Sequence, residues 1–154
     1  LAKRLMAAQD AVVDRFMRNE AYGSRSLDEV VAWNIALRKE LIRVTRAQPG
    51  GLWILRAIRS VPVLQEVRND SRDKVLDLHV GHVAQIYPEV PIETLKAAVR
   101  LSEQMTYTAI EMLLEDPLLD EDRIVEEVSW MTAMYFLNLG SRPRIDPIAI
   151  DLGD

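Results

Sequence analysis

Two histidines, His79 and His82, stand three residues apart in a stretch of helical spacing. At that separation both imidazoles can leave one face of a helix, as two nitrogen ligands of a metal ion would. A metal wants a third and a fourth ligand, and Asp77 points to another side. Leu76 and His79 occupy the positions three before the two histidines, so the E-x-x-H pattern of carboxylate-bridged metal bundles is missing. The simpler reading is a pair of histidines that line a pocket or sit hydrogen-bonded in the core. With no cysteine there is no thiolate ligand, no cysteine nucleophile and no disulfide framework. The six glycines compose neither a phosphate-binding loop nor a nucleophile elbow. Carboxylates fall mostly at helix starts and exposed faces. These residues call for no metal, no cofactor and no catalytic set, and the chain reads as a binding protein rather than an enzyme.

A second group is more suggestive. Asn34, His79, His82, Gln104, Tyr107 and Thr108 are polar residues on otherwise apolar faces, with Trp33 and Trp53 as large flat surfaces nearby. Small-molecule sites are built as apolar cavities with a few oriented polar groups. The alternative is that these are boundary residues paired with one another or with water.

The elements that must position them are all helices. Apolar or small residues at 92, 95, 99, 102, 106, 109 and 113 predict a helix from Ile92, and a second stripe runs beside it through Ala98, Leu101, Met105, Thr108 and Met112. Two adjoining stripes imply cover on two sides. After Asp116-Pro117-Leu118-Leu119 comes another helix, with acids Asp120 to Asp122 at its positive end. From Ser129 to Leu139 it carries no charge, which predicts burial all round. Little follows that could cover it, so a second copy of the chain is the expected cover, forming a four-helix interface. A monomer folding its own helices over both sides is the competitor.

Upstream, an amphipathic helix spans residues 1 to about 22, facing inward through Leu1, Leu5, Ala8, Val12 and Phe16. Ser26 and Glu29 form a capping box for a helix from Leu27 to about Gln48, inward through Val30, Leu37, Leu41 and Val44. Lys39, Arg43 and Arg46 read as a solvated face. Pro49-Gly50-Gly51 ends that helix, a short one follows from Leu52 to about Ser60, and Val61-Pro62 opens a fourth to about Tyr87. An irregularity is expected near Asn69-Asp70-Ser71, and Val75, Leu78, Val83 and Ile86 are expected to be buried. Gly81 inside that helix suggests close packing or ligand approach. Residues 141–154, with two prolines, are expected to lie extended as a tail.

At 154 residues and 17.6 kDa the chain is long enough for one domain with a real core. A net charge of −5 speaks against a nucleic-acid surface on this segment. No apolar run is long enough for a membrane span, and no signal-peptide pattern is present. The chain opens without an initiator Met or a capping residue, as though inside a helix, which suggests that something upstream has been removed.

This order of elements resembles the C-terminal domain of TetR-family transcriptional regulators. Three local patterns carry the likeness: the opening Leu1-Ala-Lys-Arg-Leu-Met-Ala-Ala helix, the run from Gly51-Leu-Trp-Ile-Leu through Val61-Pro62 to Val67, and Ala109-Ile-Glu-Met-Leu-Leu-Glu-Asp-Pro before a helix rich in Met, Tyr, Phe and Leu. The family's amino-terminal helix-turn-helix is missing, so DNA is a partner only through that absent head. The resemblance implies a cytoplasmic repressor and an effector-binding and dimerisation domain over residues 1–140. It implies a homodimer through the fifth and sixth helices, for which Leu101, Met105, Met112, Val128, Met131 and Tyr135 are the candidate surface. It also implies a cavity for a small, mostly apolar effector between the second, fourth and fifth helices, capped by the third. Candidate contacts are Trp33, Leu37, His79, His82, Gln104, Tyr107 and Thr108, with His82 or Gln104 orienting the ligand. Ligand binding would move the first helix, which joins the missing head.

Overall fold

The computed structural model describes residues 1–18, 23, 26–143 and 145–146, with the side chain of Lys74 excepted. Its regular structure is six α-helices: α1 Ala2–Met17, α2 Leu27–Ala47, α3 Gly51–Ser60, α4 Pro62–Ile86, α5 Ile92–Glu115 and α6 Glu121–Leu137. Among the described residues there is no strand, and no helix is long and apolar enough to cross a membrane. The expected end of the first helix at residues 19–22 and most of the tail, residue 144 and residues 147–154, lie outside the described residues.

Local chemistry explains the breaks. Gly50 takes a left-handed backbone (φ 72°), which only glycine adopts at little cost, and turns the chain from α2 into α3. Gly51 is buried, and a Cβ there would overlap the Thr45 carbonyl oxygen. Pro62 sits in the first turn of α4, where its missing N–H is no loss. Asp120 caps α6 by accepting a hydrogen bond from the Arg123 N–H (3.1 Å). Ser26 also occupies an N-cap, but its side chain makes no cap hydrogen bond, so that half of the expected capping box is missing.

The core falls into two clusters. The larger joins α1, α2, α3, α5 and α6 through Leu5, Val12, Leu41, Ile42, Ile58, Ile110 and Val125. The smaller gathers Val80, Val83, Tyr87, Val90, Leu95, Val99 and Leu139 at the other end of α4, α5 and α6. The most extensive helix pair is α2 with α6. On α6 it is formed by Val125, Ser129, Thr132 and Ala133, all buried, and their small size lets the two backbones approach. Ser129 and Thr132 turn their hydroxyls back onto the Val125 and Val128 carbonyls (2.6 and 2.8 Å), which satisfies them in an apolar seam.

Several inward assignments change. Leu1 is solvent-exposed, and so is Leu78, because the buried side of α4 is set by Val80 and Val83. No break occurs at Asn69 to Ser71; α4 is one continuous 25-residue helix. Gly81 is exposed, with open space where a Cβ would stand, so neither close packing nor ligand approach accounts for it.

The two glycine environments give opposite expectations. Gly81→Ala should stabilise the protein by about 0.5–1 kcal/mol, because alanine is the better helix former and fits without contact. Gly51→Ala should destabilise it, since the Thr45 backbone must yield. Urea unfolding of both variants checks the pair, and equal midpoints would contradict it.

Candidate functional site

Between the two core clusters lies a cavity of about 110 Å³. Its wall takes Leu37 and Leu41 from the larger cluster and Val83 and Tyr87 from the smaller, with Trp33, Ile86 and Phe136 completing the apolar lining. The polar members are Asn34, Arg38, His79, Ser102, Glu103, Thr106 and Thr132. The cavity thus sits among α2, α4, α5 and α6. The expected enclosure by α2, α4 and α5 is met, but the further wall is α6 rather than α3, whose residues line a different and much smaller space.

The central polar group is Arg38, only 2% exposed. Its Nη1 donates to the Asn34 Oδ1 (2.6 Å) and its Nη2 to the Thr132 Oγ1 (2.7 Å), so the guanidinium bridges α2 to α6. Asn34 is itself oriented, donating from Nδ2 to the Val30 carbonyl (2.8 Å). Both partners are neutral, and the Arg38 Nε has no hydrogen-bond partner. Burial lowers the Arg38 pKa to about 10, so the group remains cationic at neutral pH.

His79 lines the cavity from α4, and burial, helped by neighbouring His82, lowers its pKa to about 4. It is therefore neutral at pH 7. Glu103 is half-buried on α5, and burial raises its pKa against the opposing effect of Arg68, Arg72 and Arg100.

The seven candidate contacts divide. Trp33, Leu37 and His79 line the cavity together. Trp33 is fixed there by its Nε1–H, which donates to the Phe16 carbonyl (3.1 Å), and by an edge contact with the Phe16 ring. His82 lies outside the lining, its Nδ1 donating to the Leu78 carbonyl (2.8 Å). Gln104 also lies outside and accepts from Arg68 Nη2 (3.1 Å). Tyr107 faces the α1 side, where its hydroxyl donates to the Gln9 Oε1 (3.2 Å) and burial raises its pKa. Thr108 is on the exposed side of α5. Trp53 is 68% exposed on α3, under the Arg56 guanidinium. Among the described residues no group of three or more histidines and carboxylates is placed to hold a metal ion.

Arg38 is not among the residues that the sequence singles out, because a charged residue type ordinarily predicts water. The signal was nevertheless present: Val31, Asn34, Arg38, Leu41 and Thr45 recur at spacings of three and four, and all five are buried.

The same division applies to the candidate dimer surface. On α5 the stripe through Leu95, Val99, Thr106, Ala109 and Leu113 is buried in the chain's own core. In the second stripe Leu101 and Met112 are exposed and Met105 is half-buried. On α6, Trp130, Met131 and Met134 are exposed, whereas Val128 and Tyr135 are half-buried. The uncharged end of α6 is therefore not buried all round within one chain. Among the described residues, the chain's own helices do not cover both sides of α6.

Comparison of the chain with protein-family models, curated proteins and solved structures finds no match to any of them.

The depressed His79 pKa has a consequence for stability. An unfolded histidine protonates near pH 6.5, whereas His79 in the fold resists until about pH 4. Between those values the unfolded state binds more protons, so stability falls as pH falls, by at most about 3 kcal/mol. Thermal unfolding from pH 7 to pH 4 should show that slope in the wild type and a shallower one in His79→Gln. Identical slopes would remove His79 as its source.

Proposed function

We propose that this chain is the effector-sensing and dimerisation domain of a TetR-like transcriptional regulator, acting by binding rather than by catalysis. The observation that carries this reading is the largely apolar cavity among α2, α4, α5 and α6, with an oriented buried arginine on its wall. Protein interiors are close-packed, so space beside a buried cation is better explained by a ligand than by packing. Small-molecule sites combine that kind of lining with few fixed polar groups.

The second support is the uncovered face. Leu101 and Met112 on α5, with Trp130, Met131 and Met134 on α6, are exposed large apolar side chains on neighbouring helices. Exposed apolar groups gathered on one helix pair mark association surfaces. A second copy would bury them by apposing its own α5 and α6 in a symmetric contact.

A hydrogen-bond chain offers a route to α1. Tyr107 on α5 donates to Gln9 on α1, Gln9 Nε2 donates to the Thr45 Oγ1 on α2 (2.8 Å), and Thr45 donates to the Leu41 carbonyl (2.7 Å). Leu41 also lines the cavity. A ligand that alters the separation of α2 and α5 would therefore pull on α1. In a dimeric regulator the reading heads must match half-sites about 34 Å apart, so a small movement of α1 spoils the fit. A ligand preferring the altered state 100-fold would supply about 2.7 kcal/mol of coupling.

Native mass spectrometry of the purified chain tests this function. The expected result is a species of twice 17.6 kDa that retains one small molecule per chain. Met131→Glu should weaken the dimer roughly 100-fold by placing a charge in the apolar contact. A bare monomer at all concentrations would overturn the dimer, and a variant as dimeric as the wild type would remove Met131 from its surface.

A further inference from the structure

We propose that the cavity takes a small organic acid, its carboxylate held by Arg38 and its apolar body by the surrounding wall. The inference rests on the cavity being a ligand site and adds the ligand's chemical class.

The argument begins with an imbalance of charge. A guanidinium has five N–H donors and stays cationic at neutral pH, and a buried cation is costly unless an anion faces it. Arg38 is nearly fully buried, yet it has only the amide oxygen of Asn34, the backbone carbonyl of that residue (3.3 Å) and the hydroxyl of Thr132 as acceptors. Among the described residues no carboxylate forms an ion pair with it, and its Nε–H is left without an acceptor. Other arginines of this fold are paired on its surface, such as Arg46 with Glu121 and Arg56 with Glu115. The buried one, which has most to gain from an anion, lacks it.

The geometry of what remains selects the ligand. Nε and the adjacent Nη2 form one edge of the guanidinium, a shape that suits the two oxygens of a carboxylate. Nε itself is sealed from water, so a carboxylate reaches it by displacing neighbouring atoms of the wall that Arg38 lines. Thr132 accepts one of the two Nη2 hydrogens, and its own hydroxyl proton is committed to the Val128 carbonyl. Asn34 and Thr132 thus act as positioning residues that hold the fork still. Among the described residues Glu103 is the one carboxylate on the cavity wall. It is half-buried, and burial raises its pKa despite Arg68, Arg72 and Arg100, so its charged form is weakened rather than supplied as a partner for Arg38.

Size and lining set the rest of the molecule. An apolar cavity of about 150 Å³ takes up benzene. At about 110 Å³, bounded by Trp33, Leu37, Val83 and Phe136, this one suits a short aliphatic chain or a single ring. It does not suit a sugar, whose many hydroxyls would face a mostly apolar wall.

The test compares each acid with its uncharged amide of nearly the same shape. Benzoate, hexanoate, benzamide and hexanamide are titrated into the purified chain at constant ionic strength, with binding read by calorimetry and thermal shift. The acids should bind wild type at least about tenfold more tightly than the amides, since charge-assisted paired bonds are roughly twice as strong as neutral ones. Arg38→Gln should erase that preference, and Arg38→Lys should keep part of it. The wild-type comparison stands even if Arg38→Gln folds poorly. Acids and amides binding equally would overturn the carboxylate assignment while leaving the cavity as a ligand site. Binding of neither class would overturn both.

Discussion

The α2–α6 seam is the contact on which the rest of this fold depends, and Arg38 lies in it. Small side chains on α6 bring the two backbones close, and the guanidinium then spans the gap between Asn34 and Thr132. A cation in that position imposes conditions on everything nearby. Its neighbours must supply oxygen acceptors, which explains an amide and a hydroxyl on otherwise apolar faces. Its Nε is already sealed without an acceptor, a desolvation cost that an anion at the cavity wall would relieve. The cavity between the two core clusters has that buried charge on its wall.

The outer ion pairs have a different role. Lys39 with Asp122 and Arg46 with Glu121 tie α2 to the start of α6, and Arg59 with Glu111 ties α3 to α5. Such surface pairs contribute little individually, from about 0 to 1 kcal/mol. They set the register of helices whose attraction comes from the buried residues. Glu40 is the most engaged: hydrogen bonds from Arg43 and Arg15 hold its carboxyl down near 2, and they link α1 to α2 on the outside. Gln9 and Thr45 link the same helices on the inside. These contacts fasten α1 to α2 on both sides.

Two faces of the molecule are unbalanced, one inside and one outside. Inside, a charge lacks its counter-ion. Outside, α5 and α6 leave methionines, a leucine and a tryptophan in water. Each imbalance is of the kind that a further molecule relieves, a small anion in one case and a second chain in the other. Both lie on α5 and α6, whose residues line the cavity on one side and carry the exposed apolar face on another.

Helix content and helix boundaries were legible from residue order alone. Periodicity, Pro49-Gly50-Gly51, Val61-Pro62 and the Asp120 acids act over a few residues, and α2 to α6 fall within a residue or two of the expected limits, whereas α1 ends at Met17 rather than near residue 22. The two stripes on α5 were also readable, because spacing defines a face whatever it meets. Which stripe meets the chain's own core, and which is left to solvent, depended on where α4 and α6 pack. The site divided in the same way. Trp33, Leu37 and His79 were found because large or polar residues on apolar faces stand out, whereas His82, Gln104, Tyr107 and Thr108 were turned aside by rotations of one or two positions around their helices. Arg38 reads in sequence as one more surface cation, since its type predicts water. Only the close approach of α2 and α6, a contact between residues 94 positions apart, placed it inside and left it without a counter-charge.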